Sequence, residues 1–132
     1  MSNAIYPLYK QALLDASANV DINDGLVKVA LSTGTYNSTH EFYSSVSAST
    51  VGTPQTIANT TVTNGLFDGD NVVYTAVAGG STVTALIIYI DTGTNSTSRL
   101  VAFIDTGVTG FPLTTNGGDV NVNWNASGIF QL

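Results

Sequence analysis

Apolar residues recur at helical spacing only once, near the start of the chain. Leu8, Tyr9, Ala12, Leu13 and Ala16 fall on one side of a 3.6-residue period. Pro7 stands just before them, where its missing N–H costs a helix nothing. The spacing predicts a helix from Pro7 to about Asp15, ended by the Ser17-Ala18-Asn19 stretch and the Asp24-Gly25 pair.

Beyond Gly25 the pattern is that of strands and turns. Residues 26–31 form an apolar run broken by Lys28, and residues 32–53 are irregular and polar, with Phe42 and Tyr43 as an aromatic pair. A Thr-rich strand or edge is expected over 56–63, then strands over 72–77, 83–90 and 100–104. Asn64-Gly65, Asp68-Gly69 and Gly79-Gly80 mark turns, and residues 91–98 read as a hairpin loop. Val120, Val122 and Trp124 alternate with three asparagines, the mark of a half-exposed strand, and Ile129-Phe130 suits a last short one. The expected fold is mainly β: an antiparallel β-sandwich or jelly-roll-like barrel with one N-terminal amphipathic helix, a single domain over 1–132 in which 1–18 forms a helical segment or arm.

Two strands break the alternation that a sheet with one wet face requires. Neither Val83-Thr84-Ala85-Leu86-Ile87-Ile88-Tyr89-Ile90 nor Leu100-Val101-Ala102-Phe103-Ile104 places polar residues at every second position. Both faces of this hairpin must therefore be covered. One can pack on an opposing sheet; the other calls for the helix around Leu8 and Leu13, or for another subunit.

Composition narrows the chemistry. The 132 residues carry three Lys or Arg against nine Asp or Glu, a formal charge of -6, and charged residues make up 9% of the chain. Nucleic-acid binding depends on clustered cations that displace counterions; Lys10, Lys28 and Arg99 are scattered, so no nucleic-acid partner is expected. The absence of cysteine excludes disulfides and thiolate metal sites and fits a reducing cytoplasm. No apolar run approaches the roughly 20 residues of a membrane span, so no membrane partner is expected. The opening Met1-Ser2-Asn3-Ala4-Ile5-Tyr6-Pro7 lacks the basic start and apolar core of a signal peptide, so synthesis in the cytoplasm is expected. Asn-X-Ser/Thr sequons at Asn37, Asn59, Asn95 and Asn125 follow from a composition rich in these residues.

Few residues invite a catalytic reading. Asp91-Thr92-Gly93 and Asp105-Thr106-Gly107 each follow an apolar strand, as in aspartic proteases, where two carboxylates share one proton. Fourteen residues apart on one hairpin, they are expected at opposite ends of the strand pair, as turn chemistry. Asp68-Gly69-Asp70-Asn71 offers oxygen ligands for calcium but lacks a later bidentate glutamate, so a turn is expected there; Asp21, Asn23 and Asp24 form a similar polar turn. His40 is the only histidine, and Glu41 beside it invites a triad reading, but a solvated loop histidine is expected. No phosphate loop, dinucleotide fingerprint or zinc spacing occurs. No catalytic residue, cofactor or metal is expected. Trp124 and Phe103 suit inward strand positions; Tyr43 and Phe111 are the aromatics to test for sugar stacking.

The order of several stretches resembles a group of small tailed-bacteriophage proteins. They are Ala4-Ile5-Tyr6-Pro7-Leu8-Tyr9-Lys10 with Ala12-Leu13-Leu14; Leu26-Val27-Lys28-Val29-Ala30-Leu31; Thr63-Asn64-Gly65; Ala85-Leu86-Ile87-Ile88-Tyr89 with Asp91-Thr92-Gly93 and Thr97-Ser98-Arg99-Leu100-Val101-Ala102; and Asn116-Gly117-Gly118-Asp119-Val120 with Trp124. The resemblance implies a virion structural protein, a decoration or cement protein on the outer surface of the capsid, with the major capsid protein as partner. A tail or neck module, with glycan or receptor contacts, is the alternative. Cement proteins are expected as homo-oligomers, dimers or trimers. Ile5, Tyr6, Leu8, Tyr9 and Leu13 from one end, and Ile129, Phe130 and Leu132 from the other, are the expected protein contacts.

Overall fold

The computed structural model describes residues 3–23, 26–108 and 110–132. In chain order the elements are β1 (Ala4–Ile5), α1 (Pro7–Leu14), β2 (Val27–Ser32), β3 (Thr50–Thr56), β4 (Thr61–Thr63), β5 (Leu66–Asp68), β6 (Val72–Tyr74), β7 (Thr82–Val83), β8 (Ala85–Ile90), β9 (Leu100–Ile104), β10 (Leu113–Thr114), β11 (Val120–Val122) and β12 (Phe130–Gln131). Every pairing is antiparallel. The main sheet has the order β1-β9-β8-β2-β3; short ladders β10-β7, β11-β6 and β12-β5-β4 accompany it. The fold is mainly β and sandwich-like with one helix, and its sheets do not close into a barrel.

The non-alternating hairpin is the centre of the main sheet. The register Val27↔Ile90, Val29↔Ile88 and Leu31↔Leu86 puts these six side chains on one face; Ala30↔Ile87, Ser32↔Ala85 and Phe103, opposite Ile87, occupy the other. All are buried. On the second face the covering rings come from residues 33–49. Tyr43 stacks on Tyr89 with ring centroids 4.1 Å apart, and Tyr36 lies 5.7 Å from Phe103 and 5.4 Å from Tyr6. The helix expected to supply this cover contributes only Tyr9 and Ala12 as buried residues; Leu8 and Leu13 are half-buried. The expectation fails because a segment without periodicity, held by two single-turn 3-10 helices at Tyr43–Ser45 and Ser47–Ser49, folds back over the sheet instead.

Strand boundaries also shift. The Thr-rich stretch is not one strand: β3 ends at Thr56, Asn59 takes a φ of 53°, and β4 starts at Thr61. Between the pairs Val29↔Gln55 and Leu31↔Val51, β3 spends four residues where β2 spends two. Gly52 and Pro54 fall in that extra length, and a proline without an N–H is tolerated there because β3 is an edge strand. In the same stretch the Tyr74 hydroxyl donates to the Val29 carbonyl. Asn64-Gly65 closes the β4–β5 hairpin as a two-residue turn with φ of 52° and 80°, the type I′ geometry that the dipeptide predicts. Gly69 is required for close approach: a Cβ there would lie 2.5 Å from Ile57 Cγ2.

The helix ends close to where it is expected, at Leu14 with Asp15 as its cap, but Ala16 falls outside it. Ser17 N–H donates to Ala12 O at 2.9 Å and Ala16 N–H to Leu13 O at 3.2 Å, a Schellman closure with Ala16 at φ 52°. Ala16 is therefore an exposed cap, not part of the apolar face. Asp24-Gly25, the expected stop, lies outside the described residues. Glycine suits this position better than alanine, whose Cβ crowds the following carbonyl. Ala16→Gly is expected to raise stability by roughly 0.5–1 kcal/mol, read as a higher urea midpoint at unchanged m.

Candidate functional site

Both ends of the described chain are fastened to the fold. Asn3 Oδ1 accepts from the N–H of Asp105 (2.8 Å) and Thr106 (2.9 Å) and from Thr106 Oγ1 (3.1 Å), while its Nδ2 donates to Thr106 O (3.0 Å). That clamp holds β1 beside β9, and Tyr6 N–H continues the ladder to Val101 O at 2.9 Å. At the other end, Ile129 N–H donates to Phe67 O and Leu132 N–H to Gly65 O, each at 2.9 Å, and the Phe130 ring lies 5.3 Å from Phe67. Residues 3–5 are thus the edge of a sheet and not a free arm.

Fastening both ends on one side of the molecule creates two recesses. The first is a slot of about 250 Å³ between the edges β1 and β12, walled by Ile5, Ala102, Ile104, Ile129 and Phe130 together with the polar Asn3 and Gln131. The second is a groove of about 330 Å³ between the helix and the β12-β5-β4 sheet, where Leu13, Val20, Ile22, Val62, Phe130 and Leu132 supply most of an apolar lining and Asp21 stands on the rim.

The eight expected contact residues divide accordingly. Ile5, Ile129 and Phe130 line the slot; Leu13, Phe130 and Leu132 line the groove. Leu8 sits apart, beside a shallow recess with Glu41 and Arg99. Tyr6 and Tyr9 are buried: Tyr6 lies in the core because β1 docks on β9, while Tyr9, whose hydroxyl donates to Val20 O at 2.9 Å, still lines the groove. Val20, Ile22 and Val62 are groove residues that sequence reasoning missed. Their signal was weak: Val20-Asp21-Ile22 alternates, but within what reads as a polar helix stop.

The chemical candidates are drawn into local structure. Asp91 follows β8 and Asp105 follows β9; with Tyr89 opposite Leu100 and Leu86 opposite Ile104, they lie at opposite ends of the hairpin. Asp91 accepts from Gly93 N–H at 2.9 Å, and Lys28 Nζ lies 2.9 Å from its Oδ2. These two contacts, the backbone bond first, hold its carboxyl below the usual carboxylate range. Asp68 Oδ1 accepts from Gly69 N–H (2.9 Å) and Asp70 Oδ2 from Asn59 Nδ2 (2.6 Å), so the two are bonded to different partners. Asp21 Oδ1 accepts from Asn23 N–H at 2.9 Å, while Asp24 lies outside the described residues. His40 is half-buried, and Glu41 is engaged by Arg99 at 3.1 Å. The Arg99 guanidinium also lies 5.1 Å from the Phe42 ring and donates to Ala18 O. Of the aromatics that a sugar-binding alternative would use, Tyr43 is buried under its stack with Tyr89, and Phe111 is half-buried. No helix among the described residues is long and apolar enough to cross a membrane.

Comparison with protein-family models and with curated proteins returned no match.

Proposed function

We propose that the chain is a structural protein of a tailed-bacteriophage virion, a decoration or cement protein that binds the outer surface of the assembled capsid. The observation that carries this reading, beside the sequence resemblance, is the slot between β1 and β12. It lies between two edge strands of different sheets, and its lining is mixed: Ile5, Ile104, Ile129 and Phe130 are apolar, Asn3 and Gln131 polar. An extended segment of the major capsid protein laid in it would gain main-chain partners from a strand edge and apolar pockets for alternate side chains, the usual economy of strand addition. Selective binding to the assembled shell stabilises it, by about 2.7 kcal/mol per site at a hundredfold excess over Kd. An acidic surface also discourages contact with packaged nucleic acid. A tail or neck module with sugar contacts is the weaker reading, because Tyr43 is withdrawn from the surface.

The test is cosedimentation with expanded capsids. Deleting residues 1–16 would not serve, since it removes Tyr6 and Tyr9 from the core. Ile129→Ser and Ile5→Ser, each checked for an intact circular-dichroism melt, are expected to weaken capsid binding at least about tenfold. Undiminished binding by both variants rejects the slot; association with tails and not with capsids rejects the cement role.

A further inference from the structure

Leu14, at the end of α1, is 89% exposed, the most exposed large apolar side chain among the described residues, and it directly follows Leu13, which helps to line the groove. One helical turn earlier on the same face stands Lys10, also exposed. The chain has three cations. Two are used inside the fold, Lys28 against Asp91 and Arg99 against Glu41; Lys10 makes no ion pair among the described residues. The groove offers the complement of this face. Its lining is mostly apolar, Val62 (47%) and Leu132 (57%) within it are left open, and among the described residues Asp21 is its one exposed ionisable group and forms no ion pair.

We infer that the groove is the docking site for α1 of a second copy of this chain, with Leu14 of each copy seated in the groove of the other and Lys10 of each facing Asp21 across the interface. A knob and a hole carried side by side on one surface are what a two-fold, isologous contact requires: each copy gives and receives the same side chain. The charges decide the partner. Two copies carrying formal charges of -6 repel at long range, so a stable contact between them has to join opposite charges locally to offset that repulsion. Lys10 and Asp21 supply that from the chain itself, twice per dimer. The inference is independent of the shell reading, because the groove and the slot share only Phe130 and the isolated protein is the object of the test.

Sedimentation equilibrium over a concentration series reads it. The wild-type chain is expected to form dimers with a Kd on the order of tens of micromolar. Leu14→Asp, on a largely solvated side chain whose change is expected to leave the fold intact, is expected to raise Kd at least about thirtyfold. Lys10→Glu is expected to raise it about tenfold, and adding Asp21→Lys to that variant to bring it back to within about threefold of wild type. A wild-type chain that stays monomeric to about 500 µM, or dimers indifferent to Leu14→Asp, would overturn the proposal. A charge-reversed pair no tighter than Lys10→Glu alone would overturn the Lys10–Asp21 contact.

Discussion

Tyr43→Ala is expected to cost about 3–5 kcal/mol of folding free energy, measured by urea denaturation, although Tyr43 lies in a stretch with no strand and only single-turn helices. Its ring is buried, lies nearly parallel to Tyr89 at 4.1 Å, and carries a hydroxyl bonded to Thr50 Oγ1. Truncation would lose the stack, strand the Thr50 hydroxyl and open a cavity over the central hairpin, whose strands are buried on both faces. The informative comparison is with the helix. Leu14→Ala is expected to fall within about 0.5 kcal/mol of wild type, and Leu13→Ala between the two. If α1 were the blanket over the hairpin, Leu13→Ala would be the costlier change. A Tyr43→Ala cost under about 1 kcal/mol would mean that the 33–49 segment does not hold that face.

The contrast explains what the sequence makes legible. Burial on both faces of the hairpin follows from local pattern: residues 85–90 and 100–104 lack polar alternation, and both strands are buried throughout. Asn64-Gly65 is equally local, since both residues must take positive φ in a two-residue hairpin. What covers the hairpin is not local. Tyr36, Tyr43 and Val46 are spaced without period among serines and threonines, and only the fold-back onto Tyr89 and Phe103 gives them inward positions. The contact residues divide for the same reason. Leu13, Ile129, Phe130 and Leu132 reach the recesses, but whether a tyrosine near the start is a handle or a core residue depends on pairing across nearly the whole chain, from Ala4–Ile5 to Phe103 and Ala102. The Thr-rich 56–63 run misleads in the other direction: β propensity continues through it, while Asn59 at positive φ breaks it into two strands that belong to different sheets.

Alkali should unfold this protein steeply, and the steepness is assignable. Burial pushes the hydroxyls of Tyr6, Tyr74 and Tyr89 well above the ordinary tyrosine range, with neighbouring tyrosines adding to the effect. Tyr74 is held neutral further by its donated bond to Val29 O, whereas the Tyr6 hydroxyl has no acceptor among the described residues. The sign follows from proton counts. Above about pH 10 the unfolded chain gives up protons that the folded chain retains, so stability is complete below that pH and is lost as pH rises toward the folded-state values. Each such group contributes a slope of about 1.4 kcal/mol per pH unit, so the three together approach about 4 kcal/mol per unit between pH 10 and 12. Urea midpoints should therefore be flat from pH 8 to 9.5 and collapse beyond, with a cooperative rise in tyrosinate absorbance at the unfolding step. Tyr6→Phe isolates one share: it removes an unsatisfied hydroxyl, keeps the ring beside Tyr36, and is expected to lower the alkaline slope by about one group's worth, about 1.4 kcal/mol per pH unit. An unchanged slope in Tyr6→Phe would mean that Tyr6 ionises freely in the folded state, and hence that the segment clamped by Asn3 is a loose arm after all.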